Sequence, residues 1–482
     1  MKPRNLLFIF SDEHNRNCSG AYGHPLVRTP NIDKIASKGV RFVNSYTNCP
    51  ICIPARAAMA TGRYVHEINY WDNGIPYDGC IPSWAHRLRE NGYVVDSIGK
   101  LHFRKTDDDN GFCNEIDPLH VYEGIGDILG CIKDDVPFRK HRGGVLEAGS
   151  GNSSYIEYDL KNTQRSCDWL SEHAKDDKPW ALFTGFVLPH PPYIAPEEYF
   201  DLYATDEIPL PPQWAKSDWP KHPSIDYIRR FFDYTEQFQK SDIQKLNAAY
   251  FGMCTFLDNQ IGKLLEELEK NNLVDSTLII YASDHGEALG ARGIFGKFSM
   301  YEESVAVPLI MAGPNIPEGK TIHTPVSLID IYPTILDNFN IAFNSAEIDL
   351  PGDSLFSIIG SDEKNRTIFS EYHAVGSAYA SFMIRYKRYK FIYHVNEKPQ
   401  LFDLENDPLE LKDLSGNDEY RNILTEYEER LRSIVDPEDA DRRAKIDQAA
   451  KVEAFGGKQK VLKHGAFEVS PTPGSKPKMV TD

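Results

Sequence analysis

Residues 49–64, CPICIPARAAMATGRY, say more about the fold and chemistry of this chain than any other stretch. Pro54 suits the first turn of an α-helix and Gly62 suits its end, so the spacing predicts a helix that begins near Cys52. The free N–H groups at such a helix start favour anions and would lower the pKa of a thiol. Arg56 follows one turn later on the same face. A nucleophile beside a fixed cation suits an anionic ester.

Short β-rich runs alternate with longer helical runs on both sides of this stretch. Buried strands are predicted at residues 5–10, 93–98, 180–186, 277–282 and 307–311, and helices at 30–37, 81–90, 159–173 and 243–270. This alternation predicts an α/β fold in which helices cover both faces of a large, mainly parallel sheet. In such sheets, ligands bind at the carboxyl ends of the strands.

The pattern of alternating strands and helices ends near residue 366. Short aromatic runs at residues 377–385, 390–394 and 399–403 predict a smaller α+β subdomain with an antiparallel sheet, and a helical stretch follows at 419–435. We therefore expect a catalytic α/β domain over residues 1–365, an antiparallel subdomain over 366–436 and a polar tail over 437–482. The tail is expected to be flexible or to dock on a neighbouring subunit.

The composition excludes several classes of partner. The 482 residues include 53 Lys and Arg against 71 Asp and Glu, and the net charge of -18 disfavours nucleic acid and anionic membrane surfaces. No apolar run approaches the roughly 18 residues of a membrane span, and the run at residues 6–10 is shorter than a signal-peptide core. Eight irregularly spaced cysteines predict buried thiols. We expect a cytoplasmic protein.

Cys49 and Cys52 also have the C-x-x-C spacing of redox motifs and of half a zinc site. The chain has no second pair with that spacing, and the preceding pattern does not fit a thioredoxin-like fold. A redox or non-catalytic protein that uses Cys49 and Cys52 is therefore kept as the alternative from another functional class.

The segments CIPAR at residues 52–56 and TGR at residues 61–63 together resemble the signature of the type I sulfatases of the alkaline phosphatase superfamily. Within it the chain resembles the branch of choline-sulfatases, arylsulfatases and phosphonate monoester hydrolases. The resemblance implies an alkaline-phosphatase-like fold and hydrolysis of a sulfate ester. It also implies that a formylglycine-generating enzyme oxidises Cys52 to formylglycine, whose hydrated aldehyde is the nucleophile.

Acidic residues follow two of the predicted strands. Asp12 and Glu13 come after the first strand, and Asp284 and His285 come after residues 277–282. Carboxylates at this edge of a sheet are suited to a hard divalent cation. The resemblance implies that these residues bind the metal together with the modified Cys52. The resemblance implies that the bound metal is calcium. Manganese is also compatible with the site, because an imidazole such as that of His285 is a softer ligand.

The resemblance implies roles for four further residues. Lys100 and His102 match the G-K-x-H element, in which the lysine contacts the sulfate and the nucleophile and the histidine is the base that releases sulfate. His190 in LPHPPY and Lys297 in GKFSMYEES match elements that contact the sulfate and the leaving oxygen. With Arg56, the two lysines would stabilise the charge that develops in the transition state.

The substrate is expected to be a small sulfate monoester, because an acidic exterior disfavours highly sulfated polymers. Asn73 matches an asparagine of the phosphonate monoester hydrolases, which lack the pair Lys100 and His102. A phosphonate monoester or phosphodiester hydrolase on the same fold is therefore the nearest alternative. Trp71 is a candidate for stacking on an aryl, sugar or quaternary-ammonium group.

Two long segments, residues 104–151 and 201–241, are expected to form loops over the pocket. The tail resembles that of the choline-sulfatase and phosphonate-hydrolase branch, where it crosses between subunits. This resemblance predicts a homo-oligomer, either a dimer or a tetramer.

Overall fold

An eight-stranded sheet forms the centre of the protein, and the computed structural model describes residues 4–133, 139, 142–361, 365–467 and 469–480. Its strands are β1 (Asn5–Ser11), β2 (Gly39–Phe42), β3 (Val94–Lys100), β4 (Asn114–Leu119), β5 (Trp180–Gly185), β6 (Thr277–Ser283), β7 (Leu309–Ala312) and β8 (Lys320–Ile322). The strand order is β8-β2-β7-β6-β1-β5-β3-β4. Only β7 runs antiparallel to its neighbours in this sheet, so the predicted mainly parallel sheet is confirmed.

Helices cover both faces of this sheet, as predicted. The longer helices are α1 (Pro30–Ser37), α2 (Cys52–Thr61), α3 (Trp84–Glu90), α4 (Ser154–Glu172), α5 (Pro223–Phe231), α6 (Lys240–Lys270), α7 (Ile331–Asn338), α8 (Arg421–Ile434), α9 (Pro437–Phe455) and α10 (Lys458–His464). Shorter helices occur at Val65–Ile68, Arg142–Leu146, Glu197–Phe200, Glu302–Val305 and Leu355–Ile359, and short strands pair Ser45–Tyr46 with Val326–Ser327, Gly149–Ser150 with Ile194–Ala195 and Ala466–Phe467 with Met479–Val480. Over the described residues, no helix combines the length and the apolar character needed to cross a membrane.

The central strand β1 contributes to two hydrophobic cores. Leu7 and Ile9 pack with residues of α1, α4 and α6, whereas Phe8 and Phe10 pack with residues of α2, α3 and α7. Successive side chains of a strand point to opposite faces. A strand covered on both faces is therefore apolar along its whole length, which is why β1 reads as a continuous hydrophobic run.

Helix α2 begins at Cys52, as its sequence predicts. Gly62 ends the helix in the left-handed conformation at φ 70°, and its N–H donates to the Ala58 carbonyl at 2.8 Å. A Cβ atom at position 62 would lie 2.9 Å from the Tyr332 side chain, so both the backbone angle and the close packing require glycine.

The C-terminal part contains an antiparallel sheet of β9 (Ile368–Tyr372), β10 (Ser381–Tyr386), β11 (Tyr389–His394) and β12 (Gln400–Asp403). Phe369 and Phe382 of this sheet pack with Tyr427 and Leu431 of α8. The predicted antiparallel sheet and its following helix are therefore confirmed, whereas the boundaries at residues 365 and 436 stay predictions.

The tail after residue 436 differs from the sequence-based expectation of a flexible segment. Asp436 caps α9 by accepting from the Asp439 N–H at 3.1 Å, and Pro437 occupies the first helical turn. Val452 of α9 belongs to a hydrophobic cluster with Ile128 and Leu129 of the same chain. The tail therefore packs on its own chain in this structure, and docking on a neighbouring subunit stays a prediction. Residues 468, 481 and 482 of the predicted tail lie outside the described residues.

Candidate active site

The candidate site lies at the carboxyl ends of the strands. Asp12 and Glu13 follow β1, and Asp284 and His285 follow β6, its parallel neighbour. Cys52 begins α2 beside them. Each of these five residues is at most 1% exposed. The parallel register therefore brings residues that are about 270 positions apart in the chain to one edge of the sheet.

Four of these residues offer ligand atoms to a single point. The ligand atoms of Asp12, Cys52, Asp284 and His285 lie within 4.8 Å of one another. Cys52 Sγ lies 3.1 Å from His285 Nε2 and 3.7 Å from Asp12 Oδ1. The other ring nitrogen, His285 Nδ1, lies 3.1 Å from the Gly286 carbonyl, so Nε2 faces the group. Two carboxylates and an imidazole fit a divalent cation such as Ca²⁺ or Mn²⁺.

Glu13 lies at the edge of this group, beside different partners. Lys297 Nζ donates to Glu13 Oε2 at 2.7 Å, and His190 Nε2 lies 3.4 Å from the same oxygen. Glu13 Oε1 has no hydrogen-bond partner within the described part of the chain. Burial raises the pKa of Glu13 well above its usual range, Lys297 opposes the shift and Glu287 adds to it. Direct metal ligation by Glu13 stays a prediction.

Two buried cations hold the carboxylates in place. Arg56 Nε donates to Asp284 Oδ2 at 2.8 Å, and its Nη1 donates to the Lys100 carbonyl at 3.0 Å. Lys100 Nζ forms an ion pair with Asp12 Oδ2. Although burial opposes ionisation of Asp12, the nearby charges of Lys100, His190 and Arg56 hold its pKa well below the usual range. Lys100 and Arg56 thus lie beside the carboxylates at this sheet edge.

The Cys52 thiol differs from its sequence-based expectation. Burial and, to a smaller extent, the charge of Asp12 raise its pKa to about 12. The expected lowering of this pKa is not observed, because desolvation of the thiolate and the charge of the neighbouring carboxylate both raise it. Burial also raises the pKa of the Cys49 thiol well above its usual range.

His102 lies in contact with the C-terminal tail. His102 Nε2 lies 2.9 Å from Ser470 Oγ, and Tyr155 anchors the segment by donating to the Ser470 carbonyl at 2.7 Å. His102 Nδ1 has no hydrogen-bond partner among the residues described. Burial, reinforced by the charge of Lys100, lowers the pKa of His102 well below its usual range.

A small cavity of about 110 Å³ opens onto this site. Cys52, Asn73, His102, His190 and Lys297 line it, and Asn73 Oδ1 accepts from the Ile53 N–H at 3.2 Å near the start of α2. Both long segments expected over the pocket contribute to its walls. The cavity is also rich in aromatic side chains, namely Tyr122, Tyr193, Phe232, Tyr234, Phe295, Phe298 and Phe467.

Comparison with known families agrees with this geometry. A family model described as Sulfatase matches residues 4–341, which include Asp12, Cys52, Asp284 and His285. The chain belongs to the sulfatase family. A second model, described as N-sulphoglucosamine sulphohydrolase, C-terminal, matches residues 290–436.

Relatives of this sulfatase include enzymes for different sulfate esters. It is 33% identical over 442 residues to choline-sulfatase of Rhizobium meliloti, covering 86% of this chain and 83% of the relative. It is 30% identical to arylsulfatase K of Rattus norvegicus, covering 89% of this chain and 78% of the relative. The crystal structure of a phosphonate monoester hydrolase of Agrobacterium radiobacter shares the fold, with a TM-score of 0.74, 23% identity, and coverage of 89% of this chain and 95% of that chain.

Trp71 of the sulfatase lies in the protein interior and not on the cavity. Its side chain is fully buried, and its indole Nε1 donates to Asp447 of α9 at 2.8 Å. His373 packs against its ring at a centroid distance of 4.8 Å. The expected stacking of Trp71 on substrate is therefore wrong for this structure, because α9 and the antiparallel subdomain cover the ring.

Two residues of the sulfatase site, Ser470 and Glu287, were not predicted from the sequence. Ser470 has no motif around it, and only the docking of the tail brings it to His102. Glu287 is fully buried and accepts from the Tyr193 hydroxyl at 2.9 Å and from the Gly296 N–H at 2.7 Å, so it fixes the loop before Lys297. Glu287 is the last residue of the run DHGE after β6, which also contains the predicted ligands Asp284 and His285, so the sequence did contain a signal for it.

Family membership also decides between the functional classes. The residues matched by the sulfatase model contain both Cys49 and Cys52, and both thiols are buried and free in this structure. The alternative of a redox or non-catalytic protein is therefore set aside.

Proposed function

We propose that this sulfatase hydrolyses a small organic sulfate monoester and that Cys52, oxidised to formylglycine, provides the nucleophile. The observation that carries the proposal is the position of Cys52. It begins α2 at the cavity, 3.1 Å from His285 Nε2, and it is surrounded by three buried cations, Arg56, Lys100 and Lys297. Such a site suits a reaction in which negative charge develops on sulfate oxygens.

A divalent cation, calcium or manganese, would be held by Asp12, Asp284, His285 and the modified residue 52, with Glu13 beside them. When present, formylglycine supplies a hydroxyl nucleophile and the cation supplies positive charge beside the sulfate oxygens. Arg56 fixes the orientation of Asp284, and Lys100 fixes that of Asp12. These two residues therefore keep the ligand set assembled.

The remaining residues handle protons and the leaving group. His102 Nδ1, which has no partner among the described residues, is the atom that accepts a proton when sulfate is released. His190 and Lys297 line the cavity together and both approach Glu13 Oε2, at 3.4 and 2.7 Å. We assign to this pair the stabilisation of the departing alcohol oxygen.

The cavity favours a small alcohol with an aromatic or cationic group. Aromatic rings bind planar groups by stacking and quaternary ammonium groups through their π faces. Phe232 and Phe298 stack at a centroid distance of 4.4 Å on the cavity wall. Asp127 adds a carboxylate whose Oδ1 has no hydrogen-bond partner in the described ranges, although Arg139 pairs with its Oδ2 at 3.0 Å. The cavity volume of about 110 Å³ suits a small ester better than an internal position of a sulfated polymer.

Two measurements test the proposal. Mass spectrometry of the peptide that contains residue 52 is expected to show formylglycine, and an intact thiol in fully active enzyme would contradict the mechanism. Sulfate release should then be compared for an aryl sulfate, choline sulfate and a monosaccharide sulfate. We expect the first two to be turned over faster than the sugar ester, and a preference for sugars would refute the assignment of the aromatic wall.

The second candidate is phosphonate monoester or phosphodiester hydrolysis, favoured by the structural likeness to the Agrobacterium enzyme. Both reactions develop charge on non-bridging oxygens, so one site can stabilise both. We rank it second because Lys100 and His102 are both present at the site. Faster turnover of an aryl phosphonate than of the matching aryl sulfate would reverse this order.

Three further features remain part of the proposal. Maturation requires a formylglycine-generating enzyme, which co-expression with and without such an enzyme would test. We also propose a homo-oligomer and a cytoplasmic location, which light scattering and cell fractionation would test.

A further inference from the structure

Asp159 is a fully buried carboxylate that lies outside the reacting group. It belongs to α4, and its two oxygens accept from the Val187 N–H at 3.0 and 3.1 Å, while Oδ2 also accepts from the Leu188 N–H at 2.9 Å. Burial raises its pKa to about 7, although these two backbone donors oppose the shift. A carboxylate in the interior is costly unless its hydrogen bonds serve the fold or a site.

The segment that Asp159 holds leads directly to His190. Val187 and Leu188 follow β5, and the His190 N–H donates back to the Val187 carbonyl at 3.0 Å, which closes a turn. His190 Nδ1 lies 2.7 Å from the Pro191 carbonyl. With that nitrogen engaged, Nε2 is the ring atom that faces Glu13 Oε2 at 3.4 Å. The orientation of the ring therefore depends on the turn that begins at Val187.

We propose that Asp159 is a positioning residue for His190. By fixing Val187 and Leu188, it holds the turn so that His190 Nε2 stays at the cavity. This inference rests on the proposed function, in which His190 stabilises the leaving alcohol. A misplaced stabilising group costs most when the leaving group is poor, since a good leaving group needs little help.

The experiment compares two aryl sulfates in a double-mutant cycle of the full-length enzyme. 4-Nitrophenyl sulfate carries a good leaving group and phenyl sulfate a poor one. For Asp159→Ala, we expect kcat/KM to fall about 10²-fold with phenyl sulfate and less than about tenfold with 4-nitrophenyl sulfate. In the variant that also carries His190→Ala, the loss should be no greater than in His190→Ala alone.

Thr163→Ala is the matched control, because Thr163 is buried on the same helix and its hydroxyl donates to the Asp159 carbonyl at 2.8 Å. It should leave both rates within about threefold of the wild type. If Asp159→Ala does not fold, Asp159→Asn keeps one acceptor oxygen and should show the same pattern with a smaller loss.

Equal losses of Asp159→Ala on both esters, or losses that multiply with those of His190→Ala, would overturn the inference. Failure of the proposed function gives a different result. In that case His190→Ala itself shows no dependence on the leaving group, while the double-mutant cycle still reports whether Asp159 acts through His190.

Discussion

Two buried clusters of charged residues in this protein differ in how their side chains are arranged. In the Lys390 network (Arg16, Glu302, Lys390, Glu410), Lys390 Nζ lies 3.0 Å from Glu302 Oε1 and 2.8 Å from Glu410 Oε1, and Arg16 lies 3.2 Å from the other oxygen of Glu302. Opposite charges alternate there, so the cluster compensates its own charge.

The strand-edge group (Asp12, Cys52, Asp284, His285) instead gathers four cation-binding side chains within 4.8 Å. Alternating charges tie two parts of a protein together, because each ion already has its counter-ion. In the strand-edge group, Asp12 and Asp284 also pair with Lys100 and Arg56, but their ligand atoms converge with those of Cys52 and His285 on one point, a geometry that suits an added cation. The comparison teaches that the geometry of a buried cluster, and not its number of charges, separates a functional site from a structural one.

The largest effect is expected from Cys52→Ala in the strand-edge group. Removal of the nucleophile should lower kcat/KM for an aryl sulfate by more than about 10³-fold. The melting temperature should change by only a few degrees, since the side chain that is removed is small. Steady-state kinetics and thermal unfolding of the same preparation measure both effects. A variant that keeps a tenth of the activity would remove Cys52 from the mechanism.

The reverse pattern is expected for Lys390→Met in the Lys390 network. This change leaves Glu302 and Glu410 buried without their shared cation, so the free energy of unfolding should fall by about 3–5 kcal/mol. Urea unfolding measures the loss. At temperatures where the variant is folded, kcat/KM should stay within about tenfold of the wild type. Adding Glu410→Gln to the Lys390→Met variant should recover part of the lost free energy of unfolding. If it recovers none, the charges of Lys390 and Glu410 are not coupled.

Metal removal is expected to affect only the strand-edge group. A chelator should lower the free energy of unfolding by about 2.7 kcal/mol relative to enzyme with metal at a hundred times its dissociation constant. Asp284→Ala should show no further loss on chelation, whereas Lys390→Met should lose as much as the wild type. If a chelator lowers the free energy of unfolding equally in Asp284→Ala and in the wild type, the stabilising cation binds elsewhere. Unfolding in calcium, manganese and chelator provides the measurement.

The strand-edge group was predictable because local sequence and topology agree there. Buried parallel strands read as apolar runs, so the ends of β1 and β6 were visible, and parallel strands place their following residues at one edge. Helix α2 was visible from Pro54 and Gly62, whose backbone preferences mark its two ends. These predictions depend on backbone geometry that a few residues determine.

The contacts of the tail were not predictable in the same way. Helix α9 buries Ala440, Ala444 and Gln448, whose spacing is helical but whose hydrophobic signal is weak. Asp447 of α9 binds the Trp71 indole, and a later segment of the tail places Ser470 beside His102, 368 positions away in the chain. The prediction of a lowered Cys52 pKa failed for a related reason. Desolvation of the thiol depends on the whole fold and not on the helix start alone.

The smallest effect concerns a third, partly buried contact, between His66 and Glu371 of β9. His66 Nδ1 lies 2.9 Å from Glu371 Oε1. Burial opposes the charge on His66, but Glu371 raises its pKa overall, with Glu67 adding to this shift and Arg443 opposing it. Burial likewise opposes ionisation of Glu371, yet His66 and His373 lower its pKa to about 2. The contact thus resembles the Lys390 network, with opposite charges paired.

The sign of each shift sets the pH range in which this contact stabilises the fold. A raised histidine pKa contributes stability below the unfolded pKa of about 6.5, and this contribution is lost as the pH rises through the folded pKa. A lowered glutamate pKa contributes above about pH 4.5 and is lost as the pH falls towards 2. His66→Gln keeps a donor but does not titrate, so it should cost about 1–2 kcal/mol near pH 5.5 and less at pH 9. Urea unfolding of both proteins from pH 5 to 9 tests this, and a difference that stays constant with pH would show that His66 is neutral in the folded protein.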